Sequence, residues 1–370
     1  MNPVLFSEFR LRELTLPNRV VVSPMAQYSA VHGNATDWHM IHYGGLSMSG
    51  AGLLIFEATS VHATAGTSDA DLGLYSDDNE EAIKRVVDAC RKYGGAKLGL
   101  QLQHAGRKGS VAAPWLGRRR LELDQGGWIP VSADAIPYPG RVVPHALTEA
   151  EITREIDAFA MAAERAARVG FDLLEIHAAH GYLLHNFLSP LTNQRKDRYG
   201  GSSQNRTRIV LDLFKAVRKV WPEDKPIGVR LSATDWVDGG WSVQDSAELA
   251  RRLKELGCDF ISVSSGGSVP EQNIRQYAGY QVPFAREIKE YADIPTIAVG
   301  LIRDAQQAES IVRNSDSDLV ALAREMLYDP RWPWHAAAEL KATTFFPPQY
   351  ARANPLQDRE EFMRAMEIRQ

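Results

Sequence analysis

Short apolar runs recur along the chain, each ending in a polar or glycine-containing segment that leads into a stretch with helical spacing of its apolar positions. The runs are Arg19–Met25, Leu53–Val61, Lys97–Gln103, Phe171–Ile176, Ile227–Ser232, Phe260–Ser264, Thr296–Val299 and Leu319–Leu322. They are near-continuously apolar rather than alternating, as parallel strands covered on both faces must be. Helices are predicted over Asp37–Ser49, Asp77–Tyr93, Glu149–Val169, Gln204–Trp221, Ser242–Leu256, Val282–Tyr291, Ala305–Arg313 and Trp334–Leu340. In the fifth, Leu249, Leu253 and Leu256 share one face and Gly257 supplies a stop. Eight such alternations predict an α/β fold, a closed (β/α)8 TIM barrel, with an open doubly wound sheet as the alternative.

Two stretches exceed a minimal barrel. Residues 108–147, rich in Pro, Gly, Trp and Arg, follow the third strand and are expected to cap the catalytic face of a single barrel domain spanning 1–341. The extension 342–370 carries Pro347-Pro348 ahead of Tyr350 and Arg352, so it is not expected to begin as a helix. It is expected to lie along a surface, at a subunit interface.

With 370 residues, 44% hydrophobic and 24% charged, the chain can bury a full core. A net charge of -4 offers no general field for nucleic acid, and Arg118-Arg119-Arg120 is too short to track a phosphate backbone. Cys90 and Cys258 are the only cysteines, which argues against a disulfide framework and a thiolate metal site. No run approaches the about 18 apolar residues of a membrane span, so a cytoplasmic protein with no membrane partner is expected. Gly50-Ala51-Gly52 lacks the third glycine of a dinucleotide fingerprint, and no phosphate-loop Gly-Lys-Ser/Thr occurs. A redox cofactor would therefore have to sit in the barrel mouth.

The densest chemistry lies at Glu175-Ile176-His177-Ala178-Ala179-His180-Gly181-Tyr182, just past an apolar run. Two imidazoles and a phenol at one strand mouth can hold a carbonyl oxygen and deliver a proton beside it. On an unbroken strand residues 177 and 180 would face opposite ways, so convergence requires the strand to end near Ala178, with Gly181 easing the turn. Ser23-Pro24-Met25-Ala26, Tyr28, Ala58, Gln101 and an arginine inside an apolar run, Arg230, stand at other mouths and suit a flat ring with polar edges. Ser264-Ser265-Gly266-Gly267, Val299-Gly300-Leu301 and Ala323-Arg324 end the last three strands, where barrels often bind phosphate. A competing reading is a metal-dependent hydrolase in which Glu175, Asp235 and His104 join His177 and His180 as ligands. A non-catalytic binding barrel would need only the pocket. His39 and His42 beside Trp38 are read as a helix face, and Ser202 or Ser203 as the cap of a following helix.

Taken together, Ser23-Pro24-Met25, Gln101 with His104-Ala105-Gly106-Arg107, His177 to Tyr182, Asp197-Arg198-Tyr199-Gly200-Gly201-Ser202 with Asn205-Arg206, and Arg324 resemble the old yellow enzymes. The similarity is strongest to the bacterial thermophilic-like (YqjM-like) ene-reductases and spans nearly the whole chain. It implies a (β/α)8 barrel with non-covalently bound FMN, no metal, and NADPH as the cosubstrate for reducing activated C=C bonds. It implies further that Ser23, Pro24, Met25, Ala26, Ala58, Gln101 and Arg230 surround the isoalloxazine, and that Gly300, Ala323 and Arg324 hold the phosphate. His177 and His180 would bind the substrate carbonyl, Tyr182 would donate the proton and Tyr28 would line the pocket. Arg352 would reach the neighbouring site in a homodimer or homotetramer. Ala26 stands where this branch usually has cysteine, Ala323 where glycine is common, and Gln103 where alanine is usual.

Overall fold

The structure, a computed structural model, describes residues 3–353. Eight parallel strands close a barrel in chain order: β1 (Val20–Val22), β2 (Leu53–Ser60), β3 (Lys97–Gln103), β4 (Leu173–Ala178), β5 (Ile227–Ser232), β6 (Phe260–Ser264), β7 (Thr296–Val299) and β8 (Leu319–Leu322). Leu322 of β8 pairs in parallel with Val22 of β1, which closes the ring and excludes the open sheet. Around it run α1 (Asp37–Ser47), α2 (Asp77–Tyr93), α3 (Glu149–Val169), α4 (Arg208–Val220), α5 (Val243–Glu255), α6 (Val282–Ala292), α7 (Ala305–Arg313) and α8 (Trp332–Leu340).

The apolar runs are continuous because both strand faces are covered. Leu53 and Ile55 of β2 pack inside the barrel with Leu173, Phe260 and Leu319, while Leu54 and Phe56 pack in the outer core with the helices. A bulge between Phe56 and Ala58 interrupts the alternation and turns the Glu57 carboxylate toward α1, where it accepts from the Tyr43 hydroxyl at 2.9 Å. An antiparallel hairpin, Phe9–Leu11 with Leu14–Leu16, sets Leu11 and Leu16 against the first residues of the strands and closes the barrel floor. Arg12 pins it by donating to Asp259 Oδ1 at 2.7 Å. That hairpin was not anticipated.

Several boundaries differ from expectation. The first strand stops at Val22 because Pro24 cannot donate to a ladder, and the fourth runs Leu173–Ala178 rather than Phe171–Ile176. The predicted helix 204–221 breaks at Thr207 into Ser203–Arg206 and α4, and Ser202 caps the first piece by accepting from Asn205 N. His39 is buried, and its Nδ1 accepts from the Thr36 backbone N–H at 2.9 Å at the start of α1. Within the insertion, two short 3-10 turns, Pro114–Leu116 and Leu123–Gln125, precede a pairing of Val131–Ser132 with His145–Ala146. The tail does form a helical turn, a 3-10 segment at Pro348–Ala353, because proline is tolerated in the first turn, where its missing N–H would be unpaired anyway. Residues 354–370 of the predicted extension lie outside the described residues. Cys90 and Cys258 are free and buried. Among the described residues no helix is long and apolar enough to cross a membrane.

Candidate active site

β4 delivers His177 to the mouth and ends at Ala178, as convergence required. His180 then takes the left-handed conformation at φ +59° and Gly181 follows at φ +72°, reversing the chain before Tyr182 caps the short helix Leu183–Leu188. A Cβ on Gly181 would lie 2.2 Å from Gly267 O, so only glycine lets the β4 mouth pack on the β6 mouth. The glycines of Ser264–Gly267 are used in a loop-to-loop contact, a Cβ on Gly267 meeting the His180 Cα at 2.6 Å. Ser264 Oγ lies 2.7 Å from His180 Nε2, and Ser265 Oγ donates to Gln281 Oε1 at 2.6 Å.

The three predicted side chains do converge. The His177 ring centre is 5.0 Å from that of His180 and 5.0 Å from that of Tyr182. His177 Nδ1 accepts from the Ala179 N–H at 3.2 Å, so the neutral ring carries its proton on Nε2, which faces His180 Nδ1 at 3.2 Å. Burial holds both imidazoles well below the usual histidine range, with the Arg230 charge next for His177 and His177 itself next for His180. Both are neutral donors at neutral pH. Burial also raises the Tyr182 phenol, so it keeps its proton, although a hydrogen bond with the Thr67 side chain acts the other way.

Lys108 entered no reading of the sequence as a site residue. Its ammonium donates to His180 O at 2.7 Å and also to Gly267 O, tying the two mouths together. Burial, then Arg107, Arg118 and Arg141, lowers its pKa to about 7. Arg107 beside it donates to Ser268 O at 2.7 Å and to Ile136 O at 3.1 Å, clamping the insertion to the β6 loop. Only their place just after a strand mouth hinted at this.

Deeper in the barrel, Arg230 on β5 donates to Ser23 Oγ at 3.1 Å, and its buried Nε has no partner among the described residues. Glu175 is its counter-charge. That carboxylate accepts from Gln101 Nε2 at 2.6 Å and from the Ser262 hydroxyl. Ser23, Pro24, Arg230 and Ala321 border a small cleft there, with Met25 and Ala26 half-buried beside it and Ala58 buried after the bulge. Tyr28, held at φ +48°, meets Trp115 of the insertion edge-on at 6.0 Å. Arg352 is exposed on the tail turn and is not among the side chains gathered at this mouth.

At the ends of β7 and β8 a cavity of about 140 Å³ is bordered by Tyr280, Gln281, Gly300, Arg303, Ala323 and Arg324. Gly300 sits at φ +121°, and a Cβ there would meet Gln281 Nε2 at 2.7 Å. The donor set fits an FMN. A cradle that a side chain would fill, rimmed by two arginines, suits a phosphate, and the orphaned guanidinium nitrogen of Arg230 suits the carbonyl-rich edge of a flavin ring.

The residues proposed for a metal hydrolase are committed elsewhere. Asp235 faces His185 Nε2 at 2.9 Å, and Glu175 is engaged as above. Ligand-type atoms of His62, His104 and Glu155 lie within 4.8 Å of one another, but His104 Nδ1 accepts from the Gly106 N–H at 3.0 Å, which puts the ring proton on Nε2, toward Glu155. Within this cluster His62 Nε2 lies 2.9 Å from Glu155 Oε2, while the buried His104 Nε2, 3.5 Å from the same oxygen, has no hydrogen-bond partner among the described residues.

A closed parallel barrel with a glycine-bordered, arginine-rimmed cavity at the ends of β7 and β8 and two neutral imidazoles at the mouth of β4 suits a barrel flavoenzyme. The model of the NADH:flavin oxidoreductase / NADH oxidase family matches residues 4–343. An NADPH dehydrogenase of Geobacillus sp. (strain WCH70) is 45% identical over 355 residues, covering 95% of this chain and 99% of that one. One from Listeria monocytogenes serotype 4a (strain HCC23) is 44% identical over 358 residues, covering 94% and 98%. Among solved structures, a morphinone reductase superposes with a TM-score of 0.78 at 28% identity, covering 93% of this chain and 91% of that one. Morphinone reductase in complex with tetrahydroNAD gives 0.77 at 29%, covering 94% of each. The chain belongs to the NADH:flavin oxidoreductase / NADH oxidase family, that of the old yellow enzymes. It is an FMN-dependent NAD(P)H oxidoreductase, and a hydrolase is not favoured.

Proposed function

We propose that the protein is an NADPH-dependent ene-reductase acting on the C=C bond of α,β-unsaturated carbonyl and similarly activated compounds. The observation that carries this reading is the meeting of His177, His180 and Tyr182 at one mouth. Bound FMN would supply the hydride chemistry that links NADPH oxidation to alkene reduction.

The chain's own residues do the rest. Ser264 can donate or accept, so it lets His180 carry its proton on either nitrogen. With Ser264 donating to Nε2, His180 holds its proton on Nδ1, and both imidazole N–H groups then point at one focus. A substrate carbonyl oxygen there accepts both, and each donor is worth about 2.7–4 kcal/mol as negative charge grows on that oxygen. Tyr182 keeps its phenolic proton and gives it to the α-carbon. Arg230, lacking a partner for Nε, presents positive charge to the ring edge, with Gln101 and Ser23 holding its surroundings in place. Ser23 to Ala26 and Ala58 border the ring, Gly300, Ala323 and Arg324 hold the phosphate, and Tyr28 lines the substrate side. Under the same reading residues 1–341 form one cytoplasmic barrel domain, and Arg352, exposed on its surface turn, completes a neighbouring subunit's site.

Stopped-flow kinetics of FMN-loaded Tyr182→Phe test the proton donor. Reduction by NADPH should be unchanged, while oxidation by cyclohexenone should slow by about 100-fold or more. Equal loss in both half-reactions would remove Tyr182 from that role.

A further inference from the structure

The Ser264 hydroxyl hydrogen can go to His180 Nε2, 2.7 Å away, or to Gln281 Oε1, 3.4 Å away. Gln281 stands immediately before α6 and is buried at 3% exposure. Its amide has one workable orientation. Val299 O only accepts, so Gln281 Nε2 donates there at 3.0 Å and Oε1 faces the serines. Ser265 donates to that same Oε1 at 2.6 Å, which leaves Ser264 the longer and weaker bond.

The neighbouring ring decides between the two acceptors. His177 carries its proton on Nε2, 3.2 Å from His180 Nδ1. A second proton on His180 Nδ1 would set two N–H groups against each other with no acceptor between them. His180 is neutral, so without a ligand its one ring proton lies on Nε2 and is donated to Ser264 Oγ. The Ser264 hydrogen then goes on to Gln281 Oε1. A carbonyl oxygen received by both imidazoles demands the reverse at His180: the proton on Nδ1, and Nε2 accepting from Ser264.

We propose that Gln281 is a positioning residue of the carbonyl site, the resting acceptor that keeps the Ser264 hydroxyl turned away from His180 and releases it when a carbonyl binds. This rests on the reading of His177 and His180 as carbonyl donors. The ring stays neutral throughout, because one proton leaves Nε2 to water and one arrives at Nδ1 from water. The 3.4 Å length makes release easy: a weak bond is given up, while the 2.7 Å contact between Ser264 and His180 is kept with its direction reversed.

The test is nitrogen NMR of FMN-loaded protein isotope-labelled at the histidine rings, with phenol as the ligand whose oxygen replaces the carbonyl. The His180 signals are those lost in His180→Ala. In wild type, His180 should be protonated on Nε2 without phenol and on Nδ1 with it. A ligand-free wild type protonated on Nδ1 overturns the proposal without recourse to any variant. Gln281→Leu removes the resting acceptor, so ligand-free His180 should shift toward the Nδ1 form and phenol should bind about threefold more tightly. Because Gln281 borders the cavity at β7 and β8, affinities are compared at equal FMN loading. In a Ser264→Ala background the Gln281 change should alter neither tautomer nor affinity. An unshifted tautomer in Gln281→Leu, or the same affinity change with Ser264 absent, overturns the proposal. His177→Ala with His180→Ala separates the two readings. If phenol affinity falls there but the wild-type tautomer does not change with phenol, only the role of Gln281 is lost, and if that affinity is unchanged, both readings fall.

Discussion

The two sides of the barrel mouth are built on opposite plans. At β4, side chains are tied to other side chains: His177 faces His180, His180 meets Ser264, and Lys108 straps the loops together. At β7 and β8, a glycine in a conformation closed to other residues borders a cavity whose arginines, Arg303 and Arg324, are exposed. The first plan fixes donor directions to within a hydrogen bond, as bond-making chemistry demands. The second suits an anion held by backbone approach and charge, an arrangement that depends on shape at one residue more than on side-chain order.

The sharpest way to break this contrast is Gly300→Val. A φ of +121° strains any side chain, and the added atoms meet Gln281 and Tyr280, so FMN retained after desalting should drop at least about tenfold. Full retention would show that the cradle is not where FMN is held. The largest effect on rate belongs to His177→Ala with His180→Ala, which should leave FMN content intact while lowering the rate of enone reduction by about 100-fold or more and weakening phenol binding. Unchanged phenol affinity by flavin absorbance titration would remove them as carbonyl donors. Smallest is Ser264→Ala. Losing one neutral hydrogen bond, worth about 1 kcal/mol, should slow oxidation by the enone about fivefold and spare reduction by NADPH. No change would mean that Ser264 does not set the His180 tautomer.

The barrel itself was legible because its strands are buried on both faces and each repeat carries its own stop. Six helix or strand boundaries at β3, β5 and β6 match the reading to the residue, since Lys97–Gln103, Ile227–Ser232 and Phe260–Ser264 are apolar runs with abrupt polar ends. His177, His180 and Tyr182 were legible for a local reason: a strand stop followed by Gly181 lies within six residues of chain, residues 177–182. What escaped was long-range. Lys108 comes from another β/α unit and meets the Tyr182 ring only once the barrel is closed, and no local pattern separates it from an ordinary loop residue. The loop contact made by the Ser264–Gly267 glycines was equally hidden, because close approach to another loop and close approach to a phosphate ask for the same residue. The bulge at Glu57 likewise leaves no mark in an apolar run until its partner strand is known.

The floor hairpin has a consequence for traffic. Leu11 and Leu16 seal the lower end, and the Phe260 ring covers Gly228 closely enough that a Cβ there would sit 2.4 Å from it. The barrel is therefore a blind well with its working groups at the rim. Arrivals and departures share one doorway, and under the proposed ene-reduction a spent hydride donor would vacate before an acceptor settles, so that turnover would be a matter of taking turns.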